Sequence, residues 1–159
     1  MTAASFVHLC LHSEYSLVDS LVRIKPLVQA TADLGMPAVA VTDQCNLFSL
    51  VKFYKAASAS GVKPIFGVDL WVRDPEDANK PFRMILLVQD GQGYRNLTRL
   101  VSRSYREGQH LGRPMVEKHW LDRGSCGGLI ALSGARRGDV GRSLLAGDLK
   151  EAKNRASHW

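Results

Sequence analysis

Apolar and polar positions alternate in blocks along the chain, and the blocks predict strands and helices in turn. Residues 6–11 (Phe6, Val7, Leu9, Leu11) read as a short apolar strand that runs into a polar turn. A helix is predicted over 26–34, with Pro26 in its first turn and Gly35 just past its end. A strand over 38–42 leads to a helix over 47–60, whose inward face reads as Leu47, Leu50, Val51 and Tyr54. A strand over 64–72 and a polar surface loop over 73–81 follow. A strand over 84–89 precedes a helix over 93–105 and then a loop containing Gly and Pro. A strand over 129–133 and helices over 140–145 and 149–159 complete the series. Such alternation implies right-handed βαβ units and a parallel sheet. Asp148 is a plausible N-cap for the last helix. The apolar stripe of that helix (Leu149, Ala152, Ala156, Trp159) is still running at the final residue, so the chain reads as a fragment.

Composition narrows the classes. A chain of 159 residues with 45% hydrophobic content can bury one core, which suits one domain or part of one. No basic stretch precedes an apolar core at the N-terminus, and no apolar run approaches the roughly 20 residues that a bilayer requires. Cys10, Cys45 and Cys126 are odd in number and far apart, as reduced thiols of a cytoplasmic protein would be.

The net charge of +6 draws attention to the arginines. Arg95, Arg99, Arg103 and Arg106 stripe one face of a predicted helix, and Arg136, Arg137 and Arg142 form a second group. A solvated face is the first reading of such a stripe, ahead of a protein contact or a phosphate backbone. No base-reading motif is present, which leaves a small DNA-binding module without support. His110 and His119 read as exposed loop residues, and Trp71 and Trp120 as core or partner-packing residues. Cys126 has no visible base partner and makes a poor nucleophile.

Candidate chemistry gathers at the strand ends. His8, Cys10 and His12 fall at every second position, so in a strand they share one face, and all three can ligate metal. Taken alone, these residues fit an ordinary strand with a buried thiol. The strand over 38–42 ends in Asp43-Gln44-Cys45-Asn46, and Asp69 interrupts an otherwise apolar strand. In α/β sheets and barrels, ligand sites form where strands give way to loops at their carboxyl ends.

Five motifs occur in order: His8-Leu-Cys-Leu-His-Ser-Glu-Tyr-Ser-Leu-Val-Asp-Ser, Met36-Pro-Ala-Val-Ala-Val-Thr-Asp-Gln-Cys-Asn-Leu, Gly61-Val-Lys-Pro-Ile-Phe-Gly-Val-Asp-Leu, Gly93-Tyr-Arg-Asn-Leu and Leu129-Ile-Ala-Leu-Ser-Gly134. Together they resemble the PHP (polymerase and histidinol phosphatase) domain that opens the alpha subunit of bacterial DNA polymerase III, over essentially the whole chain. The resemblance implies an α/β fold, with parallel βα units forming the first part of a distorted PHP-type β/α barrel. It implies residues 1–159 as the N-terminal portion of that domain, with the polymerase domains absent.

Active members hold up to three metal ions through His, Asp, Glu and Cys and activate a water for phosphoester cleavage. Against that pattern Cys10, His12, Asp19, Asp43 and Asp69 read as a remnant. Ligand positions are lost at Gln44, Arg83 and Ala135, while Cys10 stands for a histidine and Asp69 for a glutamate. A guanidinium at a ligand position repels a dication. The expectation is therefore a degenerate site: no catalytic residues, no cofactor for this fragment, no residual zinc or manganese, and magnesium only for the parent polymerase. The implied role is a non-catalytic scaffold for the rest of the alpha subunit that docks the proofreading exonuclease subunit and meets DNA through the parent holoenzyme. The alternative is a metal-dependent phosphoesterase or 3′-5′ exonuclease of the PHP family.

Overall fold

The computed structural model describes residues 6–17 and 19–159; Val18 of the first motif lies outside them. The chain divides into two compact units, Met1–Asp69 and Leu70–Trp159.

In the first unit, β1 (Ala38–Val41) is buried along its whole length, as a strand covered on both faces should be. It pairs in parallel with the start of β2 (Lys63–Val72), Ala38 beside Lys63 and Val41 beside Phe66. Helices α1 (Ile24–Asp33) and α2 (Leu50–Ala59) cover the pair. Ile24, Val28, Val39, Val41, Phe53, Ala57 and Val62 make the core. The phase of α2 differs from the predicted one. Phe53 and Ala57 point inward, whereas Val51 and Tyr54 are 63% and 54% exposed. The bulk of Phe53, set edge-on against Phe66 at 6.0 Å, fixes this rotation. Leu47 precedes the helix, in a turn closed by the Leu50 amide on its carbonyl.

Residues 6–11 do not form the regular strand expected of them. They do run beside β1: the Ala40 amide donates to the His8 carbonyl and the Thr42 amide to the Leu11 carbonyl, both at 2.8 Å. The return bond goes astray, because the Leu11 amide donates to Thr42 Oγ1 rather than to a backbone carbonyl. A side chain that takes a ladder donor ends the ladder.

The second unit contains the last residues of β2, followed by β3 (Phe82–Val88), α3 (Gly91–Glu107), β4 (Gln109–His110), β5 (Arg113–Val116), β6 (Leu129–Leu132), α4 (Asp139–Leu145) and α5 (Leu149–His158). Its strands lie in the order β4-β5-β2-β3-β6. β2 and β5 are parallel, with Trp71 beside Met115, whereas β3 and β6 are antiparallel, with Ile85 beside Leu132. The predicted alternation covers the parallel pairs and not this antiparallel one.

The loop predicted after α3 holds the β4–β5 hairpin instead. Leu111 and Gly112 turn it with φ of 49° and 75°, the left-handed pair that two-residue hairpins need. A leucine there gives no turn signal, and Pro114 inside β5 argues against a strand. Asp90 caps α3 by accepting from the Gly93 amide, and Asp148 caps α5 as predicted, accepting from the Glu151 amide. A Cβ on Gly93 would lie 1.8 Å from the Gly128 carbonyl oxygen, so only glycine lets α3 start so close to the loop before β6.

Candidate metal centre

Three expected ligands meet in the first unit. Cys10 Sγ, a ring nitrogen of His12 and a carboxylate oxygen of Asp69 all lie within 4.8 Å of one another. Cys10 is exposed, His12 half-buried and Asp69 buried. His12 is held from both sides: Nδ1 lies 2.8 Å from Asp19 Oδ2 and Nε2 lies 3.0 Å from Asp69 Oδ2. His8 stands apart from this cluster, exposed, with its ring edge-on to Phe6.

The carboxylates raise the pKa of His12, the hydrogen bond that its ring donates to Asp69 most strongly, burial opposing it and the bond to Asp19 adding to it. A metal needs the neutral ring, so a proton held between two carboxylates competes with a cation for the same nitrogens. The same geometry has a stability consequence. A pKa raised in the fold contributes stability that is complete below the ordinary value near 6.5 and is lost as pH rises through the raised value. The midpoint of urea unfolding should fall over that window, and His12→Asn should flatten the fall. A slope that survives the substitution would assign it to other groups.

Asp43 lies outside this cluster and is 1% exposed. Its Oδ1 accepts from the Ser13 amide at 2.6 Å, from Ser13 Oγ at 2.8 Å and from Ser16 Oγ at 3.1 Å. Its Oδ2 accepts from Ser13 Oγ at 2.8 Å and Ser49 Oγ at 2.7 Å. The serines are tied in turn, because Ser13 Oγ accepts from the Tyr15 amide and Ser16 Oγ from the Gln44 amide. Asn46 closes the network, donating to the Tyr15 and Gln44 carbonyls and accepting from the Phe48 amide. The motif 8–20 thus forms a short 3-10 turn (Glu14–Ser16) that encloses Asp43 with hydroxyls.

The serines carry no expected role in the sequence, yet they complete the surroundings of Asp43. Their signal was present, in that Ser13 and Ser16 belong to the first motif and Ser49 follows the second. Hydroxyl groups beside an expected ligand can satisfy it without a metal.

Gln44, Arg83 and Ala135 stand where the resemblance implies metal ligands. Gln44 forms an isolated parallel bridge with Asp69, and the Cys45 amide donates to the Asp69 carbonyl at 2.9 Å. Cys45 has φ of 55°, a left-handed conformation that a side chain other than glycine's adopts rarely. Arg83 belongs to the second unit, where it is buried on β3 with its guanidinium 4.3 Å from the centre of the Trp71 ring. Ala135 opens a short 3-10 turn (Ala135–Arg137) there, with φ of 46°.

Around the motif, Lys52 bonds Glu14 and the Tyr15 hydroxyl, and Tyr15 packs against the core of the first unit. His110 lies in β4 rather than a loop, with Nε2 2.9 Å from Asn79 Oδ1. Trp120 is buried and Trp71 is half-buried under its arginine. All three cysteines are free, and burial pushes the Cys126 thiol up, away from nucleophilic character.

Known proteins share this chain's pattern. The PHP domain family model matches residues 8–159. DNA polymerase III subunit alpha of Pseudomonas fluorescens is 53% identical over 156 residues, covering 98% of this chain and 13% of that protein. The Escherichia coli K12 subunit is 45% identical over 148 residues, covering 93% of this chain and 13% of that protein. The chain therefore spans about an eighth of the length of these relatives. Among solved structures, an amidohydrolase from Chromobacterium violaceum superposes with a TM-score of 0.50 at 19% identity, over 63% of this chain and 33% of its own. That similarity is one of fold, and with the parallel β1–β2 pair it bears out the expected PHP-type α/β class. No helix among the described residues is long and apolar enough to cross a membrane. A family model that runs from the first histidine to the last residue leaves one conclusion: the chain belongs to the PHP domain family.

Proposed function

We propose that this chain is the PHP region of a replicative DNA polymerase III alpha subunit and acts there as a non-catalytic scaffold. In this reading it supports the rest of the alpha subunit, docks the proofreading exonuclease subunit and meets DNA only through the parent holoenzyme. The observation that carries it is the state of Asp43. Both oxygens of this family ligand are filled by serine hydroxyls and an amide, so it has no lone pair directed at a cation. The remnant Cys10, His12 and Asp69 could hold one ion through thiolate, imidazole and carboxylate, with Asp19 orienting the imidazole. A bound zinc would polarise a water at its open position. Two-ion hydrolysis needs bridging carboxylates, and Asp43 is committed elsewhere. We accordingly assign no resident zinc or manganese to this site, and magnesium to the polymerase site of the parent.

The runner-up reading, a metal-dependent phosphoesterase or 3′-5′ exonuclease, rests on the same three donors. One assay separates the two. With manganese or zinc added, hydrolysis of bis-p-nitrophenyl phosphate and of a 3′-labelled oligonucleotide should not exceed the metal-free blank, and His12→Ala should leave the rate unchanged. Robust hydrolysis that disappears with His12→Ala would establish the enzyme and overturn the scaffold.

A further inference from the structure

A groove of about 390 Å³ lies in the second unit between α3 and the turn after Trp120. Leu100 and Trp120, both buried, contribute its apolar lining. Arg99 and Arg103 stand on the helix side, and Asp122 with Ser125 on the other. The two arginines are placed differently. Arg103 lies with its guanidinium 3.9 Å from the centre of the Trp120 ring and donates from Nε to Glu107 at 2.7 Å, so its position is fixed. Arg99, one helical turn away, is exposed, and its side chain makes no hydrogen bond or ion pair among the described residues. Across the groove Asp122 is anchored by the Ser125 amide at 2.7 Å and Ser125 Oγ at 2.9 Å, and these bonds hold its carboxyl below the usual range. The groove thus presents positive charge on one wall, negative charge on the other and an apolar floor.

This charge pattern selects an occupant. A nucleic-acid strand would offer phosphates to Arg99, but it carries a regular row of negative charge and few donors, so Asp122 would repel it. An extended peptide has both signs of partner. An acidic side chain can pair bidentately with Arg99, backbone N–H groups can donate to Asp122, and an apolar side chain can sit on Leu100 and Trp120. We propose that this groove binds a segment of a partner protein in which a carboxylate stands beside a large apolar side chain. The inference is independent of whether the remnant metal centre is silent.

The test uses the full-length protein and fluorescein-labelled peptides read by anisotropy. The probe is Gly-Asp-Leu-Phe-Asp-Leu-Gly, compared with its asparagine counterpart and with a ten-nucleotide oligo-dT. The acidic peptide should bind best, and Arg99→Glu should weaken it by at least about tenfold, as loss of a specific charge pair does. Arg136→Glu makes the same change in net charge at an exposed residue outside the groove, and it should alter binding by less than about twofold. Asp122→Asn should weaken the peptide and leave the oligonucleotide no weaker. Equal losses in Arg99→Glu and Arg136→Glu would reduce the effect to net charge and overturn the site. So would equal binding of the asparagine peptide, the absence of any peptide binding, or oligo-dT binding that exceeds the peptide's and depends on Arg99.

Discussion

Replacing Asp43 by alanine should be among the most destabilising single substitutions in this chain, costing about 3–5 kcal/mol of unfolding free energy. The carboxylate is the common acceptor for Ser13, Ser16 and Ser49, all of them buried, and its removal leaves these hydroxyls without their acceptor in a dry site. It also releases the Ser13 amide, which holds the Glu14–Ser16 turn against the end of β1. Asp43→Asn is the informative companion. An amide keeps one acceptor oxygen but turns two hydrogens toward hydroxyl donors, so it should recover only part of the loss. Urea unfolding of the three proteins, read by tryptophan fluorescence and circular dichroism, gives the order. If Asp43→Ala unfolded at the unmodified midpoint, the carboxylate would not be the structural node that its hydrogen bonds indicate.

The second arm of the same experiment removes donors instead. Ser49→Ala leaves Oδ2 of Asp43 with Ser13 Oγ and should cost about 1–2 kcal/mol, less than the loss of the shared acceptor. An acceptor at the hub of several donors is worth more than any one of them. The contrast follows from connectivity rather than from residue type.

The elements that were legible in the sequence are those whose signals are local. Pro26 inside α1, Gly35 after it at φ of 66°, Asp148 at the start of α5 and the buried run of β1 each act through their own backbone or nearest neighbours. The phase of α2 was not legible. Leu50, Val51, Phe53 and Tyr54 are all apolar enough to face a core, and the choice of Phe53 depends on Phe66 across the unit. The β4–β5 hairpin was hidden by its own residues, with leucine at a left-handed turn position and proline within a strand. The strand expected over 6–11 lost its ladder to one threonine hydroxyl.

The candidate site divides along the same line. Motif positions alone point to Cys10, His12 and Asp69, and the three converge. Asp43 was named with them, yet its surroundings depend on two serines from one motif and a third beyond another. Which polar groups satisfy one another is a property of the folded turn, and spacing in the chain does not reveal it. A ligand position can therefore keep its residue and change its occupation.

That difference between residue and occupation sets the limits of a metal-restoration experiment. Cys10→His with Gln44→His should create zinc binding that the unmodified chain is expected to lack. His12 and Asp69 are already within hydrogen-bonding distance, Cys10 lies within 4.8 Å of both, and Gln44 is bridged to Asp69. Residues paired directly across a parallel bridge share a face of the sheet, so an imidazole at position 44 emerges on the side of the Asp69 carboxylate. Two added imidazoles bring the nitrogen and oxygen donors to four, which suits a tetrahedral zinc site. At a zinc concentration about a hundredfold above its Kd, the variant should gain roughly 2.7 kcal/mol of stability while the unmodified chain gains nothing. The gain should be larger at pH 8 than at pH 6, because zinc must displace the proton that Asp69 and Asp19 hold on His12. Adding Asp69→Glu lengthens a ligand of the first unit toward the pattern that the family resemblance implies, and it should raise the number of ions retained through gel filtration only if Asp43 is also released, by Ser13→Gly with Ser49→Ala. Stoichiometric zinc in the unmodified protein would show that three donors suffice and that the hydroxyls around Asp43 do not silence the centre.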